Sequence, residues 1–408
     1  MTRRVEGLLL GLAAGDAAGW PATRHRAARM PGWTRRLTRE LDTFAEHNAT
    51  TTLPVPLALN QSPAPLRLGP SDDAEWAAFA AQALLRAAAG GGPRDPCGTC
   101  DPSAASGPSG PCECPEYRDC PECRDCPECR DVGGSERDRR IRTAIDLAWG
   151  AVADEVAGVA IGAEGDGVTP LRARISVRAG AGNLAAGIRP PAAGHDNPHY
   201  FDDAACVRAC ALGVAHPGDP RRAAALAEFD ARYTQDGDGV HGARAMAAAV
   251  ASALAGAKAA ECVTAALAEL PGASEIGRNA RHALDLAATC DSAFALVPLL
   301  EHRIVDHVYG YGVAAAETVP VALALTWAAG GRIAEALPAA ACLSRLADSA
   351  PALTGALTGA LGGAEAVPRP WRDACRTLSG CVLPRLAGTD LVELAGLLEA
   401  AQPAPPGG

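Results

Sequence analysis

Aromatic residues are scarce in this 408-residue chain, 4% of the total. Lysine is almost absent, with Lys258 the single example. The Val, Ile, Tyr and Thr enrichment that strands prefer is missing, which argues against a sheet. No basic tract or basic patch interleaved with aromatics occurs, which argues against a nucleic-acid surface. The net charge is −10, with nearly all positive charge on arginine. No stretch reaches the roughly 18 uninterrupted apolar residues of a membrane span. The start, MTRRVEGLLLGLAAGDAAG, is basic and then apolar like a signal peptide, but Glu6 and Asp16 interrupt it. A soluble cytoplasmic protein is expected.

What is abundant is alanine and glycine in helical periodicity. Hydrophobic residues make up 48% of the chain, much of it alanine, the composition of closely packed helices. Val5, Leu8, Leu9 and Leu12 follow the spacing of one helix face. Residues 21–70 read as irregular, and Ser71 as the N-cap of a helix with Asp72 and Asp73 in its first turn. Trp76, Phe79, Ala83 and Leu84 form the stripe that this helix buries. Further helices are expected from Arg139 to Val159 and over 203–268, 275–300, 312–329 and 332–347. A Gly/Pro/Asn-rich loop is expected over 162–200. No linker divides the chain, so one all-α domain over 1–408 is expected, with a cysteine-rich insertion at 95–132.

Glycine recurs at every fourth position in Gly7, Gly11, Gly15 and Gly19, and again in Gly355, Gly359 and Gly363. Residues four apart share a helix face, so each row makes a groove that another backbone can enter. Two helices packed through these rows at the centre of a bundle are expected. Asp16 follows the third glycine, and an acid on such a helix must be paired, hydrogen-bonded or metal-bound.

Polar candidates cluster elsewhere. GHDNPHYFDD holds His195, Asp196, Asn197, His199, Asp202 and Asp203 in or beside a loop. Either histidine could act as an acid–base group near neutral pH, while Asp202 and Asp203 could equally charge the start of a helix. Tyr309-Gly310-Tyr311-Gly312 precedes another helix, and a tyrosine face there could stack on adenine or pack structurally. The insertion carries Cys97, Cys100, Cys112, Cys114, Cys120, Cys123, Cys126 and Cys129. The CPEC-RD-CPEC run within it has the spacing of a zinc site. The same run also reads as a duplicated low-complexity unit that binds nothing permanently.

Six stretches carry a family resemblance: GLLLGLAAGDAAGWP, SDDAEWAAFAAQALL, GHDNPHYFDDAACVRACALGVAHPGDP, DGVHGARAMAAAVASAL, YGYGVAAAETVPVALA and ADSAPALTGALTGALGGAEAVP. They resemble, in order, the motifs of ADP-ribosylglycohydrolases, including the type that removes ADP-ribose from dinitrogenase reductase. The resemblance implies an orthogonal all-α bundle with a magnesium centre, hydrolysing an N- or O-glycosidic bond to the ribose of an ADP-ribosyl or related ribosyl-nucleotide conjugate. It further implies Asp16, Asp72 and Asp73 as catalytic groups, and Ser71, Asp72, Asp73 and Asp348 as magnesium ligands. Substrate contacts would come from Gly15, His195, Asp196, Asn197, Asp202, Asp203, Tyr309, Tyr311 and Gly312. The family's Thr-Asp-Asp-Thr is Ser71-Asp72-Asp73-Ala74 here, and its Asp-Thr-Asp-Thr is Asp348-Ser349-Ala350-Pro351. The lost second carboxylate leaves one magnesium ion or none. A catalytically silent member that binds nucleotide or serves structurally is the alternative, and a thiol- or metal-sensing role for the cysteine segment a further one.

Overall fold

The computed structural model describes residues 3–29, 47, 69–89, 135–162, 173–307 and 312–402. The cysteine-rich insertion, with all eight of its cysteines, and the Tyr309–Tyr311 turn lie outside the described residues. Sixteen α-helices occur among those described, with two isolated β-bridges and no strand. The all-α expectation holds.

The helices are α1 Arg4–Arg29, α2 Asp72–Ala88, α3 Glu136–Gly162 and α4 Ile175–Ala185. Next come α5 Ala192–His195, α6 Ala204–Leu212, α7 Pro220–Ala231 and α8 Gly237–Leu254. The second half holds α9 Ala259–Ala268, α10 Glu275–Ala287, α11 Ala293–Arg303 and α12 Ala315–Ala328. The last four are α13 Ile333–Cys342, α14 Ala350–Gly362, α15 Arg369–Cys375 and α16 Leu391–Ala400.

The two glycine rows meet. A Cβ added to Gly7, Gly11 or Gly15 of α1 would overlap the carbonyl oxygen of Gly359, Gly355 or Pro351 respectively. In return, a Cβ on Gly355 or Gly359 would strike the carbonyl of Gly11 or Gly7. The pairing runs α1 antiparallel to α14, backbone against backbone, so both helices lie inside the bundle. Arg4 secures the junction by donating to the carbonyls of Ala253, Ala360 and Leu361 at 2.9, 3.0 and 2.7 Å. These are last-turn carbonyls of α8 and α14, where a cation also suits the helix dipole.

Helix α2 buries its expected stripe of Trp76, Phe79, Ala83 and Leu84. It packs on α3 and α6 around the fully buried Trp149. The Trp149 ring stacks on Trp76 and Tyr233 at centroid separations of 5.8 and 5.6 Å. Arg208, also fully buried, lies over the same ring and bonds Asp230 at 2.7 Å, and Asp230 accepts the indole N–H of Trp149 at 2.9 Å.

The region expected to be helical over 203–268 is cut into α6 to α9. Gly218, Gly237 and Gly256 take positive φ at or near the breaks, conformations a helix cannot continue through. The expected loop over 162–200 contains α4. Its Gly180 is required by close packing, because a Cβ there would meet the carbonyl of Tyr233. The helix expected over 332–347 ends at Cys342. Among the described residues no helix is long and apolar enough to cross a membrane.

Candidate functional site

Three helix starts converge. Ser71 precedes α2, Asp203 precedes α6 and Ser349 precedes α14. Each start carries the positive end of a helix dipole, and each brings an acid: Asp72 and Asp73, Asp203, and Asp348.

Between these acids lies Arg174, the residue preceding α4. Its Nη2 donates to Asp73 Oδ1 at 2.7 Å and lies 3.3 Å from Asp348. The same nitrogen bonds the Ser349 hydroxyl, and Nη1 bonds Asp203. Nε faces Asp72 at 3.7 Å. One planar guanidinium with five donors thus reaches four carboxylates and a hydroxyl. The Arg174 side chain is 9% exposed, against 13% for Asp72 and 18% for Asp348. Asp73 and Asp203 are buried, and Asp72 and Asp348 form the open edge.

Burial dominates the protonation of this cluster. It pushes Asp203 up to about 7, against the attraction of Arg174 and with the charges of Asp202 and Asp348 adding to the rise. Asp73 is raised well above the carboxylate range by burial, again opposed by Arg174, and the charges of Asp16, Asp72 and Asp348 add to the rise. The Arg174 guanidinium is held more firmly charged than usual, since its four acidic neighbours outweigh its own burial. Asp73 Oδ2 is buried without a hydrogen-bond partner.

Asp16 stands beside this cluster in a different role. Its Oδ2 accepts from the backbone N–H groups of Ser71 and Ala74 at 2.7 and 2.9 Å, and Oδ1 accepts the Ser71 hydroxyl at 2.5 Å. A carboxylate from α1 therefore caps α2, where Ser71 was expected to do so. Both oxygens are engaged, and burial followed by the charge of Asp72 raises its pKa to about 7. Asp16 positions the Ser71–Asp73 turn.

The expected magnesium ligands Ser71, Asp72, Asp73 and Asp348 do come from distant segments to one place. Their shared space, however, is crossed by the Arg174 guanidinium, and the Ser71 hydroxyl is turned to Asp16. Among the described residues no group of three or more His, Cys, Asp or Glu is arranged to hold a metal ion. Ala350, which stands where the family has its second carboxylate, is fully buried in an apolar cluster with Leu343 and Leu346.

Several expected substrate residues make contacts within the scaffold. Gly15 faces the carbonyl of Pro351 in the α1–α14 contact. Asn197 is buried and spends all its polar atoms: its amide donates to Ser176 and Thr234 carbonyls at 2.7 and 2.8 Å, and its carbonyl accepts from His199 at 3.0 Å. By holding Ser176 it fixes the first turn of α4, and with it Arg174. Asp202 is buried, accepting from Gln235 at 2.8 Å and from the Ala204 N–H at 3.1 Å, so it serves the helix start. His195 is exposed and pairs with Asp236 at 2.7 Å, a hydrogen bond that raises its pKa. Asp236 also accepts from Gly237 at the start of α8. Asp196 is exposed beside it, and the His199 ring stacks on Phe201 at 5.5 Å.

Gly312 is placed at the site's border. Its φ is +78°, and a Cβ would strike the carbonyl of Arg345, three residues before Asp348. The next residue, Val313, accepts the N–H of Asp203 at 2.9 Å. The chain carrying Tyr309 and Tyr311 therefore joins the described structure between Asp203 and Asp348.

Arg174 and Asp203's partnership with it were not foreseen. Clustered acids demand a cation, but Arg172, Arg174 and Arg178 are equal candidates in the sequence, and only the fold selects one. Glu75 was missed as well. Its buried carboxylate accepts the backbone N–H groups of Cys381, Val382 and Leu383 at 2.7, 2.8 and 2.8 Å, which ties the 381–383 segment to α2.

No protein with a curated description matches this chain. Among solved structures it is similar to an ADP-ribosylglycohydrolase-related protein complex, with a TM-score of 0.47 and 18% identity over 98% of this chain and 96% of that one. A sequence profile described as ADP-ribosylglycohydrolase matches residues 1–405, and the chain belongs to that family.

Proposed function

We propose that this chain hydrolyses the glycosidic bond between ribose and its substituent in an ADP-ribosyl-type conjugate, at the cleft edged by Asp72 and Asp348. Family membership supports the glycohydrolase class. The observation that carries the reading is the convergence of four carboxylates on one guanidinium. Two of them, Asp72 and Asp348, stand at the open edge beside the cleft, while burial raises Asp73 and Asp203 toward their protonated forms.

Breaking a ribosyl bond builds positive charge on the ring oxygen and anomeric carbon. A preorganised negative site favours that charge more in the transition state than in the ground state. Asp72 is the proposed general base, because it is the acid least engaged with Arg174 and lies at the open edge. The oxygen of a water bonds to the anomeric carbon, the bond to the leaving group breaks with its electron pair on that group, and the water's proton passes to Asp72. Tyr309 and Tyr311 are proposed to contact the base, since the flanking chain borders the cleft.

Magnesium was implied by the resemblance, but the donors do not fit it. Octahedral magnesium needs oxygen ligands at about 2.0–2.1 Å, and here Asp73 Oδ1 accepts from Arg174, Asp72 and Asp348 face the same guanidinium at 3.7 and 3.3 Å, and the Ser71 hydroxyl is turned to Asp16. Side chains alone carry the proposed steps. The same engagement favours a second reading, in which the cleft binds an ADP-ribosyl group without turning it over.

The test is mass spectrometry of ADP-ribose released from a panel of N- and O-linked conjugates. The wild-type protein should release ADP-ribose from at least one conjugate. Asp72→Asn should lower the rate by about 10²-fold or more, the usual worth of a general base. Binding of ADP-ribose with no release from any conjugate would select the second reading.

A further inference from the structure

The geometry points to Arg174 as the resident cation of this cleft, standing where a divalent ion would otherwise compensate Asp72, Asp73, Asp203 and Asp348, so that the site excludes metal. The inference concerns charge compensation and holds whichever conjugate, if any, is cleaved.

Three observations carry it. First, every acid of the cluster lies within 4 Å of this one guanidinium, and two of them share the same Nη2. Like charge keeps a second cation out of that space, because a divalent ion among these oxygens would sit a few ångströms from a fixed positive group. Second, the arginine is locked rather than draped. It immediately precedes α4, whose first turn is held by Asn197 through the Ser176 carbonyl, and its side chain is largely buried. Third, Ser349, which keeps a hydroxyl beside the position where Ala350 lacks a carboxylate, takes the hydrogen bond of Arg174 Nη2.

The experiment uses the full chain, with Mn²⁺ binding read by electron paramagnetic resonance and the melting temperature read with and without Mg²⁺. Wild-type protein should bind no stoichiometric Mn²⁺ in the cleft and melt at the same temperature in EDTA and in magnesium. Arg174→Gln should bind Mn²⁺ stoichiometrically and melt about 2 °C or more higher with Mg²⁺. Arg174→Lys, which keeps one charge, should remain metal-insensitive, a distinction that a purely structural arginine would not produce. If Arg174→Gln is insoluble without metal, the double change Arg174→Gln with Asp203→Asn relieves one repelling charge and is read in the same way. Stoichiometric Mn²⁺ in the wild-type cleft would overturn the inference, as would an Arg174→Gln protein, or the soluble double variant, that gains no metal dependence. If the cysteine run also bound Mn²⁺, changing Cys120, Cys123, Cys126 and Cys129 to serine would remove that signal and leave the cleft's own.

Discussion

Asp16 and Asp203 show how one residue type acquires different duties from its surroundings. Asp16 is surrounded by N–H and O–H donors and serves as a cap. Removing it as Asp16→Ala leaves those donors buried and should cost about 2 kcal/mol, measured by urea unfolding. Asp203 faces a guanidinium but is so buried that its pKa rises to about 7. A carboxyl whose folded pKa lies above its unfolded value binds its proton more tightly when folded. Its contribution is therefore complete below the unfolded value, about 3.9, and is lost as pH rises through about 7. Asp203→Asn should flatten the fall in stability across that window, as read from urea midpoints in a pH series. An unchanged pH profile would show that Asp203 titrates normally.

At the scale of elements, the glycine rows decide the architecture. Glycine in a helix costs about 1 kcal/mol relative to alanine, so the price of these rows is repaid only if the missing side chains allow something. They allow α1 and α14 to touch backbone to backbone. Gly11→Ala should destabilise the protein by about 1–3 kcal/mol despite its better helix propensity, because the Cβ meets a carbonyl that cannot move aside. Gly182→Ala in α4 is the control: nothing lies within 4 Å of an added Cβ, and a gain of about 0.5–1 kcal/mol is expected. Both are read by chemical unfolding. The same scale shows what Asn197 does within the His195–Asn197 stretch. Its polar residues suggested an open substrate loop, but Asn197 is a buried staple whose partners, Ser176 and Thr234, are separated from it by 21 and 37 residues.

For the whole molecule, the question is how much of the chain the fold needs. We propose one domain over 1–408, with residues 95–132 dispensable to it. Arg140 near the start of α3 reaches the carbonyl of Ala88 at the end of α2 at 3.5 Å, so the two helices meet without the intervening segment. Shortening a connection between neighbouring ends changes loop-closure entropy only slightly. Deletion of 95–132 should leave the helical circular dichroism intact and the stability within about 1 kcal/mol of wild type. An insoluble or molten product would place the segment in the core. Elemental analysis of the full chain, and of a variant with Cys120, Cys123, Cys126 and Cys129 changed to serine, separates a zinc site from a low-complexity loop.

The sequence by itself determined the helical class, the two glycine faces and the buried stripe of α2. These follow from periodicity, which is local and repeats every few residues. It also placed Asp72, Asp73 and Asp203 at helix starts, because helix-start chemistry is local too, while Asp348 was singled out by the family resemblance. Only the tertiary structure decided what those acids do. Asp16 and Ser71 are 55 residues apart, and Arg174 is 101 and 175 residues from Asp73 and Ser349. No spacing rule selects one arginine among so many at such separations. Charge compensation is a property of a volume, and the fold alone says which residues share that volume.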